Sequence, residues 1–330
     1  MRFLKFVFVA GFMRVRLGDV CEKGSSNLKQ SDVIDKNGEY EIYGASGLIG
    51  KVDFFHQEKP YIAVVKDGAG IGRTMLLPEK TSVIGTMQYI LPNEKVIPKY
   101  LYYVIRYMHL EKYFTGATIP HIYFKDYKRE EFNLCDLSEQ EKIVSTLSKI
   151  EKIITHRKQQ LEKLDLLVKA RFVEMFGEPI LNEKGWNMVT IGDIVTEVKY
   201  GTSKPAVEGG KYPYLRMNNL TYDGHLDLTN LKMIDIPDSE IEKCIVHRGD
   251  VLFNRTNSIE LVGKTCVFDK DEDMVIAGYI IRVRLKSIML PIVLSYFMNT
   301  DALKKKLRNM AKGAVNQANI NAQEFKSINI

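Results

Sequence analysis

The sequence is poor in the residues that most often build metal centres and disulfide frameworks. It contains four cysteines, and none stands in a C-x-x-C pair or at a cysteine–histidine spacing typical of zinc ligands. Its six histidines form no H-x-x-x-H or H-E-x-x-H motif. We therefore predict no metal site, no disulfide and a cytoplasmic location, where cysteines stay reduced.

A long apolar run is also missing. The apolar stretch at 6–13 is too short to cross a bilayer, no Ala-x-Ala cleavage site follows it, and a charged strand-like segment comes next. We interpret residues 1–13 as an N-terminal extension ahead of a start at Met13, with a signal peptide as the alternative. No membrane partner is expected.

The length of 330 residues favours two domains and a connector, because one domain commonly takes about 100–200 residues. Apolar residues make up 45% and charged residues 27%, which excludes a disordered or collagen-like chain. The net charge of +6 permits an anionic partner such as nucleic acid. Since 41 acidic residues accompany 47 basic ones, any positive surface must be local.

Short motifs recur in the same order in the two halves of the chain. VRLGDV at 15–20 returns as VTIGDI at 189–194, and IGRT at 71–74 returns as VGKT at 262–265. IP at 97–98, GA at 116–117 and FNL at 132–134 then match LP at 290–291, GA at 313–314 and INI at 328–330. The number of residues between matching motifs changes only gradually along the chain. The pattern therefore predicts two homologous domains that differ by loop insertions.

Each copy has an α+β pattern. Apolar, β-branched segments at 61–65, 83–91, 251–253 and 275–285 are separated by turn-forming residues and predict strands. Pro98 and Pro291 precede helices predicted over 101–114 and 292–310, since the first helical turn tolerates the missing N–H of proline. We predict α+β domains at 14–137 and 179–330.

Residues 138–178, between the copies, predict one long helix. Ser138 and Glu141 form a capping-box pattern at its start, and Gly177 marks its end. Apolar residues follow at alternating spacings of four and three, interrupted by Arg157 and Arg171. At about 1.5 Å per residue this helix would be about 58 Å long.

A helix of this length with one apolar stripe is not stable alone in water, because the stripe would stay exposed to solvent. It therefore needs a partner helix to bury the stripe. The alternative is a core helix of a single domain. The second copy has no such helix after it in the sequence. The predicted partner-helix interface is Leu147, Ile150, Ile154, Leu161, Leu164 and Val168.

Two patterns suggest catalysis, and neither is complete. Residues 64–72 resemble the strand and glycine loop that binds S-adenosylmethionine in methyltransferases, but 73–78 predict a turn into a strand where that site needs a helix. Asp193, Glu197 and Lys199 are spaced too tightly for a convincing nuclease triad. We predict no catalytic residues and no cofactor.

Polar side chains on the predicted turns are suited to DNA recognition. Arg and Lys can contact guanine O6 and N7 or phosphates, whereas Asn and Gln suit adenine N6 and N7. Each of them could also be an ordinary solvated side chain. The predicted DNA-binding residues are Lys66, Arg73, Lys125 and Lys128 in the first copy, and Arg216, Asn218, Asn219, Arg255, Asn257, Lys264, Lys312, Asn316 and Gln317 in the second.

These features together resemble the DNA-specificity subunit of Type I restriction-modification enzymes. LGD at 17–19 and IGD at 191–193 look like the entry strand of its target-recognition domains. LSEQ at 137–140 resembles the start of its conserved spacer helix, and the segment at 313–320 is similar to the one before its second spacer helix. YGTSKP at 200–205 is similar to the glycine-threonine-proline turn of the family, with Lys204 inserted. The likeness covers residues 14–330.

The resemblance implies a non-catalytic protein whose two recognition domains each read one half of a split site in double-stranded DNA. The spacer helix would set the gap and dock methyltransferase subunits, and through the complex a restriction subunit. The departure is the missing distal spacer helix. It leaves open a complete subunit, a truncated one, a phase-variable form or one completed by a partner chain.

Two other functions stay open at this point. The chain could be a methyltransferase or nuclease that uses the loop at 67–72 or Asp193, Glu197 and Lys199. It could also be a coiled-coil scaffold without DNA specificity. Binding of S-adenosylmethionine would distinguish the first of these, and an absence of salt-sensitive DNA affinity the second.

Overall fold

A computed structural model describes residues 12–33, 36–116, 119–314 and 317–330, with the backbone alone at 312–314. Contacts divide the chain into two compact units, Met1–Lys158 and Gln159–Ile330. The division falls inside the long central helix, so each unit includes half of it. The domain boundaries at 137 and 178 therefore stay predictions.

The first unit is a mixed helix and sheet fold. Its strands are β1 (Met13–Arg16), β2 (Cys21–Ser25), β3 (Tyr40–Gly44), β4 (Gly47–Val52), β5 (Tyr61–Val65), β6 (Thr74–Leu77), β7 (Ser82–Val83), β8 (Met87–Pro92) and β9 (Glu131–Leu134). Its helices are α1 (Pro98–Met108), α2 (Phe124–Tyr127) and the first half of α3 (Leu137–Phe176).

The second unit has the same kinds of elements. Its helices are α4 (Ile191–Ile194), α5 (Asp238–Cys244), α6 (Pro291–Met298), α7 (Asp301–Met310) and α8 (Ala322–Lys326). Its strands are β10 (Val195–Tyr200), β11 (Tyr212–Leu215), β12 (Lys232–Ile234), β13 (Ile245–Val246), β14 (Val251–Asn254), β15 (Thr256–Asn257), β16 (Thr265–Val267), β17 (Met274–Ile276), β18 (Ile280–Leu285), β19 (Lys312–Ala314) and β20 (Gln317–Asn319).

The sheets of the two units share one topology. Each has an antiparallel four-stranded sheet, in the order β2-β8-β5-β6 in the first and β10-β18-β14-β16 in the second. Each also has a smaller sheet, β4-β3-β7 or β12-β11-β17-β13, in which β3 and β7, or β11 and β17, run parallel. The internal duplication and the α+β class predicted from the sequence are confirmed.

Two predicted strands are each broken at the same place in the fold. The apolar run at 83–91 divides into β7 and β8 around Gly85, and the run at 275–285 divides into β17 and β18 around Gly278. At both breaks the chain leaves the smaller sheet and enters the four-stranded sheet. Continuous apolar sequence hid the break because both strands are buried.

The helices after these sheets are shorter than predicted. α1 starts at the expected proline but ends at Met108, and His109 with φ +52° separates it from a 3-10 turn at Leu110–Tyr113. The helix predicted over 292–310 is two helices, because Asn299 ends α6 and the side chain of Thr300 caps α7 by accepting a hydrogen bond from Leu303 N–H. The single-helix prediction was wrong there.

The central helix α3 spans 40 residues, as the heptad pattern predicts, and Gly177 follows its end with φ +83°. The predicted capping box was wrong. The helix begins one residue before Ser138, and Asp136 Oδ1 accepts a hydrogen bond of 2.9 Å from Glu139 N–H. Gln140 is fully buried and bonds Ile97 N–H and the Lys95 carbonyl, which fixes the helix start to the first unit.

A charge network ties the four-stranded sheet of the second unit together. The guanidinium of Arg282 is fully buried, pairs with Glu197 at 3.0 Å and donates to the Ile245 carbonyl. Arg284 bridges Glu197 and Asp250 at 3.1 and 2.9 Å. Burial raises the pKa of Glu197, but the surrounding cations outweigh it and hold that pKa below its usual value.

Replacing Arg282 by methionine should lower the free energy of unfolding by about 1–3 kcal/mol for each backbone carbonyl that loses its donor, here those of Ile245 and Glu242, whereas partly exposed Glu197 keeps Arg284 as its partner. Urea denaturation measures the change. The matched control is Arg248→Met, which removes an exposed pair with Asp271 and should cost no more than about 1 kcal/mol. Equal losses in the two variants would contradict a structural role for the buried guanidinium.

Candidate nucleic-acid interface

Lys66 and Arg255 occupy one and the same position in the two copies. Each follows the central strand of its four-stranded sheet, β5 or β14. The main chain of each makes the same two hydrogen bonds. One joins it to the turn at which the predicted strand breaks, between β7 and β8 or between β17 and β18, and the other joins it to a segment near the end of the copy. These bonds are Lys66 N–H to Thr86 O, Ile122 N–H to Lys66 O, Arg255 N–H to Tyr279 O and Ile320 N–H to Arg255 O, all at 2.9–3.0 Å.

Arg255 lines an open cleft of about 440 Å³ in the second unit. Its guanidinium lies 4.9 Å from the ring centroid of Tyr200, and Nη1 is 3.5 Å from the Gly278 carbonyl. Lys204 and Lys243 also line the cleft, and the carboxylate there, Glu240, is paired with Lys204 at 2.9 Å. The cleft therefore carries a net positive charge, which suits a polyanion.

Lys66 in the first unit lies beside an acidic side chain. Its Nζ is 3.8 Å from Asp67, whose other carboxylate oxygen is 2.6 Å from Nδ1 of His121. Both Lys66 and Asp67 are half-buried. The same backbone position thus presents an arginine on a tyrosine ring in one copy and a lysine beside a carboxylate in the other.

The exposed lysines predicted in the first copy lie on the surface. Lys125 Nζ is 5.3 Å from the ring centroid of Tyr123, and it lines an open cleft of about 660 Å³ with Lys112 and Arg129. Lys128 is exposed at the end of α2. Both lysines can therefore reach a phosphate without rearrangement of the fold.

Arg73 and Lys264 also occupy equivalent positions, and both bind backbone carbonyls. A glycine with positive φ, Gly72 or Gly263, precedes each of them. Arg73 Nη1 donates to the Ala45 carbonyl at 3.0 Å, in the turn between β3 and β4. Lys264 donates to carbonyls in the loop after β11, the strand of the second unit that is equivalent to β3. The two cations thus hold the loop of the smaller sheet against the larger one.

Lys264 does not fit the predicted DNA contact. It is 7% exposed, and its Nζ donates to the carbonyls of Met217 and Leu220 at 2.8 Å each. Burial lowers the pKa of this amine. Reaching DNA would break both hydrogen bonds, so we assign Lys264 to the support of the loop.

The loop held by Lys264 contains three other predicted residues. Asn219 is 2% exposed and closes the loop, since Oδ1 accepts from Arg216 N–H at 2.9 Å and Nδ2 donates to the Asp227 carbonyl at 2.8 Å. Asn219 therefore does not fit a DNA contact either. Arg216 is half-buried and donates to the Asn230 carbonyl, whereas Asn218 is exposed.

Two further predicted residues, Asn257 and Gln317, lie close to Arg255 along the chain or in the sheet. Asn257 is in β15, which pairs with β20, and its Nδ2 donates to Asn254 Oδ1 at 2.8 Å. Gln317, at the start of β20, is exposed. Asn316 and the side chain of Lys312 lie outside the described part of the structure.

Sequence reasoning missed the aromatic rings beside these cations. Tyr200 and Tyr123 are partly exposed and lie under Arg255 and Lys125. The only signal in the sequence was an aromatic residue at the end of a predicted strand or turn, which is common in any α+β fold. Contact across the sheet between Tyr200 and Arg255, 55 positions apart, required the fold.

The two catalytic patterns have structural explanations. Residues 67–72 form the turn between β5 and β6, as predicted, and no helix follows it. Asp193 caps α4 by accepting from Thr190 N–H at 2.8 Å, and Glu197 belongs to the charge network of Arg282. Apart from these patterns, ligand atoms of Asp165, Asp223 and His225 lie within 4.8 Å of one another, in a partly exposed group that could hold a metal ion.

Lys304 is a second buried amine near Lys264. It is 2% exposed, and its Nζ donates to the Gly263 carbonyl at 3.0 Å. Burial lowers the pKa of Lys304 to about 7, and three neighbouring positive charges act in the same direction. These charges belong to Lys169, Lys264 and Arg308.

Replacing Lys304 by methionine should flatten the pH dependence of stability above neutrality. Below about pH 7 the amine is protonated in both states, whereas between 7 and 10.5 the unfolded chain binds more protons than the folded one. The free energy of unfolding should therefore rise with pH in the wild type, by up to about 1.4 kcal/mol per pH unit. Denaturation at pH 7–9.5 measures this, with exposed Lys305→Met as control. Parallel profiles for wild type and Lys304→Met would contradict it.

The predicted partner-helix residues lie on the exposed middle of α3. Leu147 is half-buried, and the other five are 40–63% exposed. Phe172 and Phe176, by contrast, pack in the core of the second unit. The apolar surface is wider than the heptad seam, because Ile153 and Leu167 flank the seam at 58% and 62% exposure, whereas exposed Leu166 lies on the opposite side of the helix.

None of the helices in the described residues is long and apolar enough to span a membrane.

Two curated relatives show how this chain compares with known proteins. The Type I restriction enzyme EcoKI specificity subunit of Escherichia coli K12 is 25% identical over 228 residues, which are 64% of this chain and 49% of that protein. The MjaIX specificity subunit of Methanocaldococcus jannaschii is 30% identical over 156 residues, 40% and 35% of the two chains. The matched part spans about half or less of the relatives' length.

Solved structures share the fold over nearly the whole chain. The Type I restriction-modification S subunit from M. genitalium matches with a TM-score of 0.56 and 15% identity, covering 99% of this chain and 86% of that one. A chain from a study of complex assembly and conformational transition of the type I R-M system matches with a TM-score of 0.50 and 17% identity, covering 98% and 86%.

The family profile decides the membership. It is described as the Type I restriction modification DNA specificity domain, and it matches this chain twice, over residues 10–164 and 183–330. These segments follow the duplicated topology seen in the sheets. The chain therefore belongs to the family of Type I restriction modification DNA specificity domains.

Proposed function

We propose that this chain is a non-catalytic specificity subunit that directs DNA methylation and restriction to a bipartite site. Each copy would read one half of the site in double-stranded DNA. One observation carries the proposal: the two units share a framework down to the same backbone hydrogen bonds, but present different side chains at matched positions. A repeated fold with divergent contact residues suits two different half-sites.

The DNA-contacting set that the geometry supports is smaller than the one predicted from the sequence. Lys264 and Asn219 are excluded from it because they are buried and support a loop. Base contacts are proposed for Lys66 and Arg255, and for Arg216, Asn218, Asn257 and Gln317 in the second copy. Phosphate contacts are proposed for the more peripheral cations, Arg73, Lys125 and Lys128.

The partners follow from the exposed stripe on α3. Isolated exposed apolar residues are ordinary, but a contiguous stripe on one helix marks an interface. We propose that this stripe pairs with a helix of a partner chain and docks modification subunits, through which a restriction subunit joins the complex. The relatives' names, all specificity subunits of Type I restriction enzymes, support this assignment.

Mapping methylated bases in DNA from cells that express this chain with its cognate modification subunit tests the proposal. A split motif with two different halves and a fixed gap is expected. Exchange of residues 179–330 for the second copy of another specificity subunit should replace one half only. Methylation by the purified chain alone, or a motif that changes in both halves together, would overturn the proposal.

A further inference from the structure

We infer that Arg255 is the guanine-reading residue of one half-site and that Lys66 is its counterpart for the other. The inference rests on the proposed function and names which matched position carries base readout. In both copies this residue follows the central strand and is held by two main-chain hydrogen bonds on opposite sides. The position is therefore fixed by the framework and not by the variable loops.

The cation at this position differs from the other matched pair of cations. Arg73 donates one hydrogen bond, and Lys264 donates two, to loop carbonyls of their own unit. The guanidinium of Arg255 instead rests on the ring of Tyr200 and borders an open, positively charged cleft. Comparison of the copies thus separates a cation that supports a loop from a cation that borders an open, positively charged cleft.

The chemistry of Arg255 favours a base edge over a phosphate. The guanidinium of Arg255 lies over the Tyr200 ring, and its Nε is buried without a hydrogen-bond partner, so the position of the side chain is restricted before DNA binds. A planar, oriented fork matches guanine O6 and N7 in the major groove. A phosphate contact needs only charge, which a flexible lysine supplies as well.

Lys66 should read its base with a different pattern. Its ammonium lies beside Asp67, so the position offers a donor and an acceptor together, and His121 holds the carboxylate in place. A carboxylate can accept from the cytosine amino group, whereas a lysine donates to guanine. The pair therefore suits a G·C base pair read on both of its bases.

The test combines motif mapping with binding measurements on the assembled complex. The variants are Arg255→Lys, which keeps the charge but loses the fork, and Arg255→Gln, which loses both; the control is Arg248→Gln, an exposed arginine of the same unit. Both Arg255 variants should relax one G·C position in one half-site and lower the preference for the cognate site about 5- to 150-fold, the equivalent of about 1 to 3 kcal/mol. Lys66→Gln should relax only the other half-site.

The ring of Tyr200 positions the guanidinium of Arg255 and does not itself contact the base. Tyr200→Phe keeps the ring and should keep the motif, whereas Tyr200→Leu should relax the same base position as Arg255→Gln. A purely structural role for the ring would weaken all DNA sequences alike and leave the motif unchanged.

Three results would overturn the inference. The first is a half-site without a G·C pair, and the second is an Arg255→Gln variant that keeps the wild-type motif. The third is an Arg255→Lys variant that behaves like wild type while Arg255→Gln weakens every sequence equally, which marks a phosphate contact. In all three the wild-type complex still has a bipartite motif, so the proposed function survives. A wild-type complex without any motif would overturn both.

Discussion

Replacing Leu161 and Leu164 by glutamate is expected to abolish assembly with partner subunits while each unit stays folded. Both leucines are more than half exposed in this chain, so the free energy of unfolding should change by no more than about 0.5 kcal/mol. In a complex, burial of each leucine contributes about 1.5–3 kcal/mol. Loss of both should weaken assembly by about two to four orders of magnitude, before the cost of burying two carboxylates.

Size-exclusion chromatography with the cognate modification subunit measures the assembly, and urea denaturation measures the stability of the chain alone. The matched control changes Lys152 and Gln159 to glutamate, two exposed positions on the opposite side of the heptad. These changes add similar charge but should leave assembly intact. If the leucine variant assembles with wild-type affinity, α3 is not the interface.

The duplicated architecture was predictable because it depends on features that survive in sequence. IGRT at 71–74 and VGKT at 262–265 match because each must place a glycine with positive φ before a residue that binds the adjacent loop. A side chain at Gly72 would lie 2.7 Å from the Glu111 nitrogen, and one at Gly263 would lie 2.6 Å from Leu307. Close packing therefore restricts both glycines.

The end of α3 was predictable for a similar local reason, whereas its start was not. Gly177 adopts a positive φ, a conformation that glycine favours, so this residue alone indicates the end of the helix in the sequence. Asp136 and Ser138 are both good caps, and propensity does not choose between them. Gln140 decides the choice, because its side chain reaches Ile97 and Lys95, more than 40 positions earlier in the chain.

The roles of the cations were beyond sequence reasoning, because they depend on contacts between distant segments. Arg255 follows a buried strand and Lys264 precedes one, and both look like surface cations in the sequence. Lys264 donates to carbonyls of a loop 44–47 positions earlier in the chain, and the guanidinium of Arg255 lies over a tyrosine ring 55 positions earlier. Only the fold distinguishes a cation that supports a loop from a cation that is free to contact DNA. The equivalent residue in the other copy then provides a comparison for each assignment.

Inserting four residues after Lys158 should lengthen the unread gap of the DNA site without changing either half. α3 continues through this position, so the insertion adds about 6 Å of helix, or one to two base pairs at about 3.4 Å each. Four residues are close to one helical turn and form a stutter, which locally unwinds the heptad but keeps the apolar stripe on one face. Assembly should therefore be retained.

Methylation mapping reads the gap directly, and wild-type half-sites within the lengthened motif are the internal control. A two-residue insertion is the matched comparison, because it adds about 3 Å but rotates the following helix by about half a turn. It should disrupt the stripe and reduce methylation at every site. A gap that stays constant after the four-residue insertion would show that α3 does not set the spacing. Loss of one half-site would show instead that the insertion had disrupted one of the two recognition domains. Base recognition is expected in the sheets and turns of each copy, whereas the spacing is expected to depend on the helix.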